Sequence, residues 1–209
     1  MQRRTFIQAL GATSMVGGWA RAANWPERPL TFICPWPAGG TADATMRALC
    51  GAASKVLGQP IAVDNRAGAA GMLGLKAMAS AKADGYTIGQ IPISVTRFAQ
   101  LGSVAIDPFK DLTYLARTSA QTFGIAVRVE SPWQTLRDLV NDAKSRPGKI
   151  NYGTSGIGGA THVGMEEFAL VAGISLNHIP YKGGAPALQD LMGGQIDALA
   201  DSSSWAPHV

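Results

Sequence analysis

Short runs of apolar, strand-favouring residues alternate along this chain with longer segments whose apolar positions recur every three or four residues. Residues 30–34 form an apolar run that predicts a buried strand, and residues 40–57 follow with Ala44, Leu49, Ala52, Ala53 and Val56 at helical spacing. A second strand is expected at 61–64. A second helix is expected at 70–80, with Met72, Leu75, Met78 and Ala79 on its apolar side, and a third strand at 86–91 after the Asp84-Gly85 turn. This βαβαβ order implies a parallel sheet covered by helices, with ligands at the carboxyl ends of the strands.

Residues 92–111 show no period and read as a looser stretch. The alternation then resumes, with strands at 113–118 and 123–127, a helix at 133–145, a strand at 149–152 and a helix at 160–172. Residues 175–179 read as extended, 185–192 as helical and 196–200 as extended. A second α/β lobe is therefore predicted, with the crossing between lobes near 119–122, and no internal repeat or low-complexity segment interrupts it.

Composition narrows the classes. The 209 residues, 46% apolar and 15% charged, suffice for one or two domains with ample core and exclude a disordered chain. No apolar run approaches the roughly 20 residues of a membrane-spanning helix. The net charge of +4 suggests nucleic acid only until its position is noted, because Arg3, Arg4 and Arg21 supply three of it and residues 1–22 hold no Asp or Glu. The remainder carries 15 basic against 14 acidic side chains, without the basic cluster that a phosphate backbone requires.

Residues 1–22 read as an export signal, with a basic pair, a weakly apolar stretch and the small-x-small site Ala20-Arg21-Ala22. Gln2-Arg3-Arg4-Thr5-Phe6-Ile7-Gln8 further resembles the twin-arginine signal, with Gln in place of the usual Ser before the pair. Export leads to an oxidising compartment, yet Cys34 and Cys50 are the only cysteines. A strand end and a position three turns into the next helix lie too far apart for a disulfide, so free, buried thiols are expected. His162, His178 and His208 read as isolated from Cys and from one another, so neither a metal nor another cofactor is expected.

Three glycine-rich loops join a strand to a helix. The first runs from Pro35 to Asp43 and the second from Tyr152 to His162. Glycine permits close backbone approach, and the first amides of the following helix point outward with a partial positive charge, which suits an anion. Trp36 could wall such a pocket and Thr41 add a hydroxyl; an ordinary strand-to-helix turn, with Asp43 complementing the helix dipole, is the alternative. The second loop fails the nucleophile-elbow pattern, since Ile157 stands two residues after Ser155. It also lacks the Lys of a phosphate-binding loop and the third glycine of a dinucleotide fingerprint. Taken alone, His162 reads as a satisfied helix residue rather than a base. The third loop, Asn65 to Gly71, is left outside the site, with Arg66 read as pairing with a neighbouring carboxylate.

Together the segments resemble the Bug-type receptors, the extracytoplasmic solute-binding proteins of tripartite tricarboxylate transporters. The markers are Pro35-Trp36-x-x-Gly39-Gly40-x-x-Asp43, Asn65-Arg66-x-Gly68-x-x-Gly71, Pro147-Gly148-Lys149-x-Asn151-Tyr152-Gly153-Thr154-Ser155-Gly156-x-Gly158, His162, Pro180-Tyr181-Lys182-Gly183 and Gly193-Gly194-Gln195-x-Asp197. The resemblance implies a periplasmic, two-lobed α/β binding protein of the Venus-flytrap kind, type II-like, with lobes at 23–121 and 122–209. It implies a monomer that holds a small di- or tricarboxylate or related organic acid between the lobes, performs no chemistry on it, and delivers it to the transporter's membrane subunits.

Carried over position by position, the family's first ligand loop falls on Trp36, Gly39, Gly40, Thr41 and Asp43, and the second on Ser155, Gly156, Gly158, Thr161 and His162. Ser94 and Asp201 fall on positions that border the family's cleft. Ala67 stands where relatives often have proline, which loosens that turn. Relatives also continue beyond the position of Asp201 with a segment that returns to the first lobe, so the resemblance implies a chain that lacks this return and exposes sheet edge and apolar surface. Two other readings compete: a non-binding remnant of such a receptor, and an exported serine hydrolase using Ser155 and His162.

Overall fold

The computed structural model describes residues 25–102, 105–119 and 123–202. The expected export signal at 1–22, residues 120–122 of the expected crossing and His208 lie outside the described residues.

The first sheet is built around β1 (Leu30–Cys34), which pairs in parallel with β2 (Ile61–Asn65) on one side and β3 (Thr87–Gly89) on the other. Side chains alternate across a strand. Phe32 and Cys34 therefore face one way, onto Met46 and Cys50 of helix α1 (Thr41–Leu57). Ile33 faces the other way, onto helix α2 (Met72–Ala79), where a Cβ on Gly74 would come within 2.7 Å of the Pro35 side chain. Glycine at 74 thus allows α2 to lie directly against β1. The cluster under α2 joins Met72 and Leu75 to Val95 of helix α3 (Ser94–Gln100).

The second sheet has the order β4-β7-β5-β6, formed by β4 (Gly124–Val127), β5 (Asn151–Thr154), β6 (Asn177–Pro180) and β7 (Ala198–Asp201). Here β5 runs parallel to β6 and β7, and β4 runs antiparallel to β7. Three helices accompany it: α4 (Leu136–Ser145), α5 (Ala160–Ala172) and α6 (Gly184–Met192). Ala187, Leu188 and Leu191 of α6 pack on Ile196 and Leu199, while Met165 of α5 packs with Tyr152, Ala198 and Ala200. Helix α4 opens on a reciprocal cap, in which Thr135 accepts from the Asp138 amide and Asp138 accepts from the Thr135 amide, an arrangement worth about 1 kcal/mol. That hydrogen bonding holds the Asp138 carboxyl below its ordinary range. Among the described residues no helix is long and apolar enough to cross a membrane.

The α/β alternation is as expected, but several details differ. Helix α1 does not bury the stripe Ala44, Leu49, Ala52 and Val56. Leu49 is 41% exposed and Val56 87%, whereas Asp43, Met46 and Cys50 point inward. The helix is turned by the polar anchoring of Asp43, which a count of apolar positions does not register. Residues 94–100, read as loose, form α3. Residues 113–118 form no strand; they are largely exposed and pair with no other strand among the described residues. Both cysteines are free and buried, and burial pushes both thiols up in pKa.

Candidate functional site

The loop after β1 is organised by one buried carboxylate. Asp43, 3% exposed, accepts from the Gly39 amide (2.9 Å) and Arg47 Nε (2.9 Å) through Oδ2, and from Asn65 Nδ2 (2.8 Å) through Oδ1. Asn65 also donates to the Trp36 carbonyl at 2.9 Å, which ties the end of β2 to the same loop. Burial alone would raise the Asp43 carboxyl pKa, but the hydrogen bonds from Arg47, Asn65 and Gly39 outweigh it and hold the group below the ordinary range. Asp43, expected in the ligand loop, is therefore occupied with shaping that loop, and it consumes the Gly39 amide. Trp36, expected to wall the pocket, packs half-buried on the Phe32, Cys34, Met46 and Cys50 cluster. The amides of Thr41 and Ala42, the first two residues of α1, have no acceptor among the described residues.

The loop after β5 follows the same logic. Gly156 donates its amide to Thr154 Oγ1 (3.2 Å), Gly158 donates to His162 Nδ1 (3.1 Å), and Gly159 donates to the Gly156 carbonyl (3.2 Å). The amides of Gly156 and Gly158, both expected to face a ligand, are thus spent on folding the loop. Those of Ala160 and Thr161, opening α5, have no acceptor among the described residues. Ser155 Oγ lies 3.4 Å from Thr161 Oγ1, so its side-chain partner among the described residues is a hydroxyl and not His162. A nucleophile-base pair is not what this geometry forms.

His162 and His178, read as isolated, in fact stack with ring centroids 4.0 Å apart. The parallel pairing of β5 and β6 sets Tyr152 beside His178, whose ring stacks on Tyr152 at 5.0 Å and whose Nε2 lies 2.7 Å from Thr154 Oγ1. Glu166, one turn after His162 on α5, accepts from the Tyr152 hydroxyl at 2.5 Å. Burial, then this hydrogen bond, raises the Tyr152 pKa.

The two sheets meet at these loops. A Cβ on Gly40 would lie 3.8 Å from Ala185 Cβ, and one on Gly156 would lie 3.4 Å from the Ala70 nitrogen. One on Gly183 would come within 2.3 Å of Pro37 Cδ. Arg97 of α3 donates to the Gly158 carbonyl at 2.9 Å. The third loop, left out of the site by sequence, consequently sits opposite the second. Its Ala69 and Ala70 adopt left-handed backbone at φ 48° and 50°, a conformation that costs about 1 kcal/mol or more at each non-glycine residue. Ser94 is 2% exposed and donates its hydroxyl to the Ala70 carbonyl at 2.7 Å, so it fastens the strained turn. Arg66 pairs with Asp64 at 2.9 Å on the surface. Asp201, at the end of β7, has its carboxylate against Gly184, the first residue of α6, which puts a negative charge at that helix end. Shallow depressions of about 520 Å³ beside Trp133 and Arg146, and about 310 Å³ beside Ala99 and Phe109, lie away from the loops.

The chain has counterparts among known proteins. Residues 45–209 match the model of the tripartite tricarboxylate transporter family receptor. A Cupriavidus necator protein described as "UPF0065 protein in gbd 5'region" is 39% identical over 100% of this chain and 66% of its own length. Protein BugT of Bordetella pertussis is 36% identical over 90% of this chain and 58% of its own. Among solved structures, a periplasmic transporter superposes with a TM-score of 0.84 at 32% identity, covering 88% of this chain and 63% of that one. An R. palustris protein with adipate gives 0.78 at 28%, with coverages of 88% and 62%. MatC from Rhodopseudomonas palustris with bound malate gives 0.77 at 27%, with coverages of 85% and 61%. The chain thus spans less than two thirds of the length of these relatives. The family and these neighbours are solute-binding receptors, not enzymes, and the fold is that of the two-lobed α/β periplasmic binding proteins. On the family match over residues 45–209 and 39% identity to a relative across the whole chain, this chain belongs to the tripartite tricarboxylate transporter receptor family.

Proposed function

We propose that this protein is a periplasmic receptor that captures a small dicarboxylate, or a related di- or tricarboxylate, between lobes divided near residue 121. It acts as a monomer and passes its cargo to the membrane subunits of a tripartite tricarboxylate transporter, after export by the twin-arginine route. The observation that carries this reading is the placement of the N-termini of α1 and α5 at the meeting of the two sheets. Each ends in amides with no internal acceptor among the described residues, and each carries the positive end of a helix dipole. With Asp201 at the α6 end, α1 and α5 supply one anion seat per lobe. An acid with two carboxylates engages both seats only when the lobes are together, so its binding energy favours the closed state. The adipate and malate in the two R. palustris neighbours are acids of this class.

The seats are built from Gly40, Thr41 and the α1 amides in the first lobe, and from Ser155, Thr161 and the α5 amides in the second. Trp36, Gly39, Asp43, Ser94, Gly156, Gly158 and His162 hold these seats in shape, and Asp201 borders them. Calorimetric titration with malate and with adipate is expected to show binding by the wild-type chain. Gly40→Val and Ser155→Val are each expected to weaken it by more than about tenfold while the far-ultraviolet circular dichroism stays unchanged. Equal affinity in the wild type and both variants would remove these loops from the site.

A further inference from the structure

We propose that Arg97 is a positioning residue for the closed state, an interlobe latch that acts through Gly158; this deepens the receptor reading and rests on it. Helix α3 belongs to the first sheet's side of the molecule, where Val95 and Phe98 join the Met72 and Leu75 cluster. From there Arg97 Nη1 reaches across to donate to the Gly158 carbonyl, 61 residues further along the chain, at 2.9 Å. Its neighbour Phe98 lies against the same glycine, since a Cβ on Gly158 would come within 2.6 Å of Phe98 Cζ. Gly158 adopts φ 72°, which favours glycine twice over, for its backbone and for the room it leaves the ring.

The far side of the latch is equally well held. The Gly158 amide donates to His162 Nδ1 on α5, so one residue is gripped by its own lobe through N–H and by the opposite lobe through C=O. A hydrogen bond from a guanidinium to a carbonyl is stronger than a neutral one, and it is made only when the lobes are together. Closing the lobes therefore gains a contact that the open state lacks, at a position that need not touch the captured acid. The loop fastened this way contains Ser155 and leads directly into Ala160 and Thr161, so the latch also fixes where the second anion seat stands.

The test uses spin labels on cysteines introduced at the exposed positions Lys76 and Lys144, one on each side, with distances read by pulsed electron resonance in the full chain. Calorimetry with malate and with adipate runs in parallel. Arg97→Ala is expected to shift the ligand-free distance distribution to longer and broader values. It is also expected to weaken acid binding about five- to tenfold, with Arg97→Lys restoring part of both effects. Phe98→Ala, which leaves the hydrogen-bond donor in place, is expected to lengthen the distances less. An Arg97→Ala distribution that overlays the wild type overturns the latch, whether or not acid binds. A shifted distribution in a chain that binds neither acid upholds the latch and instead removes the proposed ligand class. If Arg97→Ala does not fold, Arg97→Gln replaces it, and a distribution identical to wild type overturns the latch in the same way.

Discussion

Replacing Asp43 by alanine is expected to cost about 2–4 kcal/mol of folding stability and to abolish high-affinity acid binding. The side chain is 5% exposed and accepts from three donors, which belong to the loop, to α1 and to the end of β2. Removing it leaves the Gly39 amide and the Asn65 amide group short of a partner. Arg47 is half-exposed and can turn to water, so the loss falls mainly on the first two. Asn65 retains the Trp36 carbonyl, which limits the total. Denaturant unfolding at constant m-value measures the effect, and a loss below about 0.5 kcal/mol would show that the loop does not depend on this carboxylate. Asp43→Asn should fall between the two, because its amide group must face one of the donors it replaces an acceptor for. The pH dependence carries a sign. The folded pKa lies below the ordinary 3.8, so the stabilisation is present at neutral pH and is lost as pH falls through the depressed value. The gap between the wild type and Asp43→Ala should therefore narrow in that acid range.

The same residue marks the boundary between what sequence conveys and what folding adds. Strand β1 and helix α5 stand at their expected limits because each is defined by local chemistry: a bounded apolar run in one case, a helical period ended by Gly173 in the other. The positions of both glycine-rich loops, each between a strand and a helix, follow from glycine placement. Periodicity failed in α1, where Asp43 rotates the helix so that Leu49 and Val56 face outward. It failed for α3 because seven residues are too few to display an amphipathic pattern. Residues 113–118 have strand-favouring side chains but no partner strand among the described residues, and a strand is a pairing rather than a property of its own residues.

The division of labour within the loops was less legible still. Glycine-rich sequence states that backbone can approach a ligand, not which amides remain after the loop has satisfied itself. Thr154 and His162 each claim one amide through hydrogen bonds that no spacing rule announces. The opposition of Ala70 to Gly156 depends on how the two sheets come together, and the meeting of His162 with His178 on the parallel register of β5 and β6. Ser94 and the third loop stand apart in the sequence, yet the hydroxyl of the first fastens the backbone of the second.

Acidification from pH 7 toward 4 is expected to lower stability by on the order of 1–3 kcal/mol through His178. Its ring is half-buried between Tyr152 and His162, with Thr154 Oγ1 against Nε2. Burial, and secondarily the proximity of His162, pushes its pKa down to about 4 from 6.5, while Glu166 opposes them. Above pH 6.5 both the folded and unfolded chains carry a neutral ring, and the group contributes no pH dependence. Between about 6.5 and 4 the unfolded chain binds a proton that the folded chain excludes, so stability falls as the pH falls. Below about 4 both states are protonated at this site and its contribution is constant. The full shift would be an upper bound, since partial exposure lets water screen the ring. Measuring unfolding midpoints at pH 7.0 and 4.5 for the wild type and His178→Gln isolates the effect, because every other titratable group is common to both proteins. The variant should lose less stability across that interval. An equal loss in the two proteins would assign the acid sensitivity to other groups and leave the stacked histidines with a packing role alone.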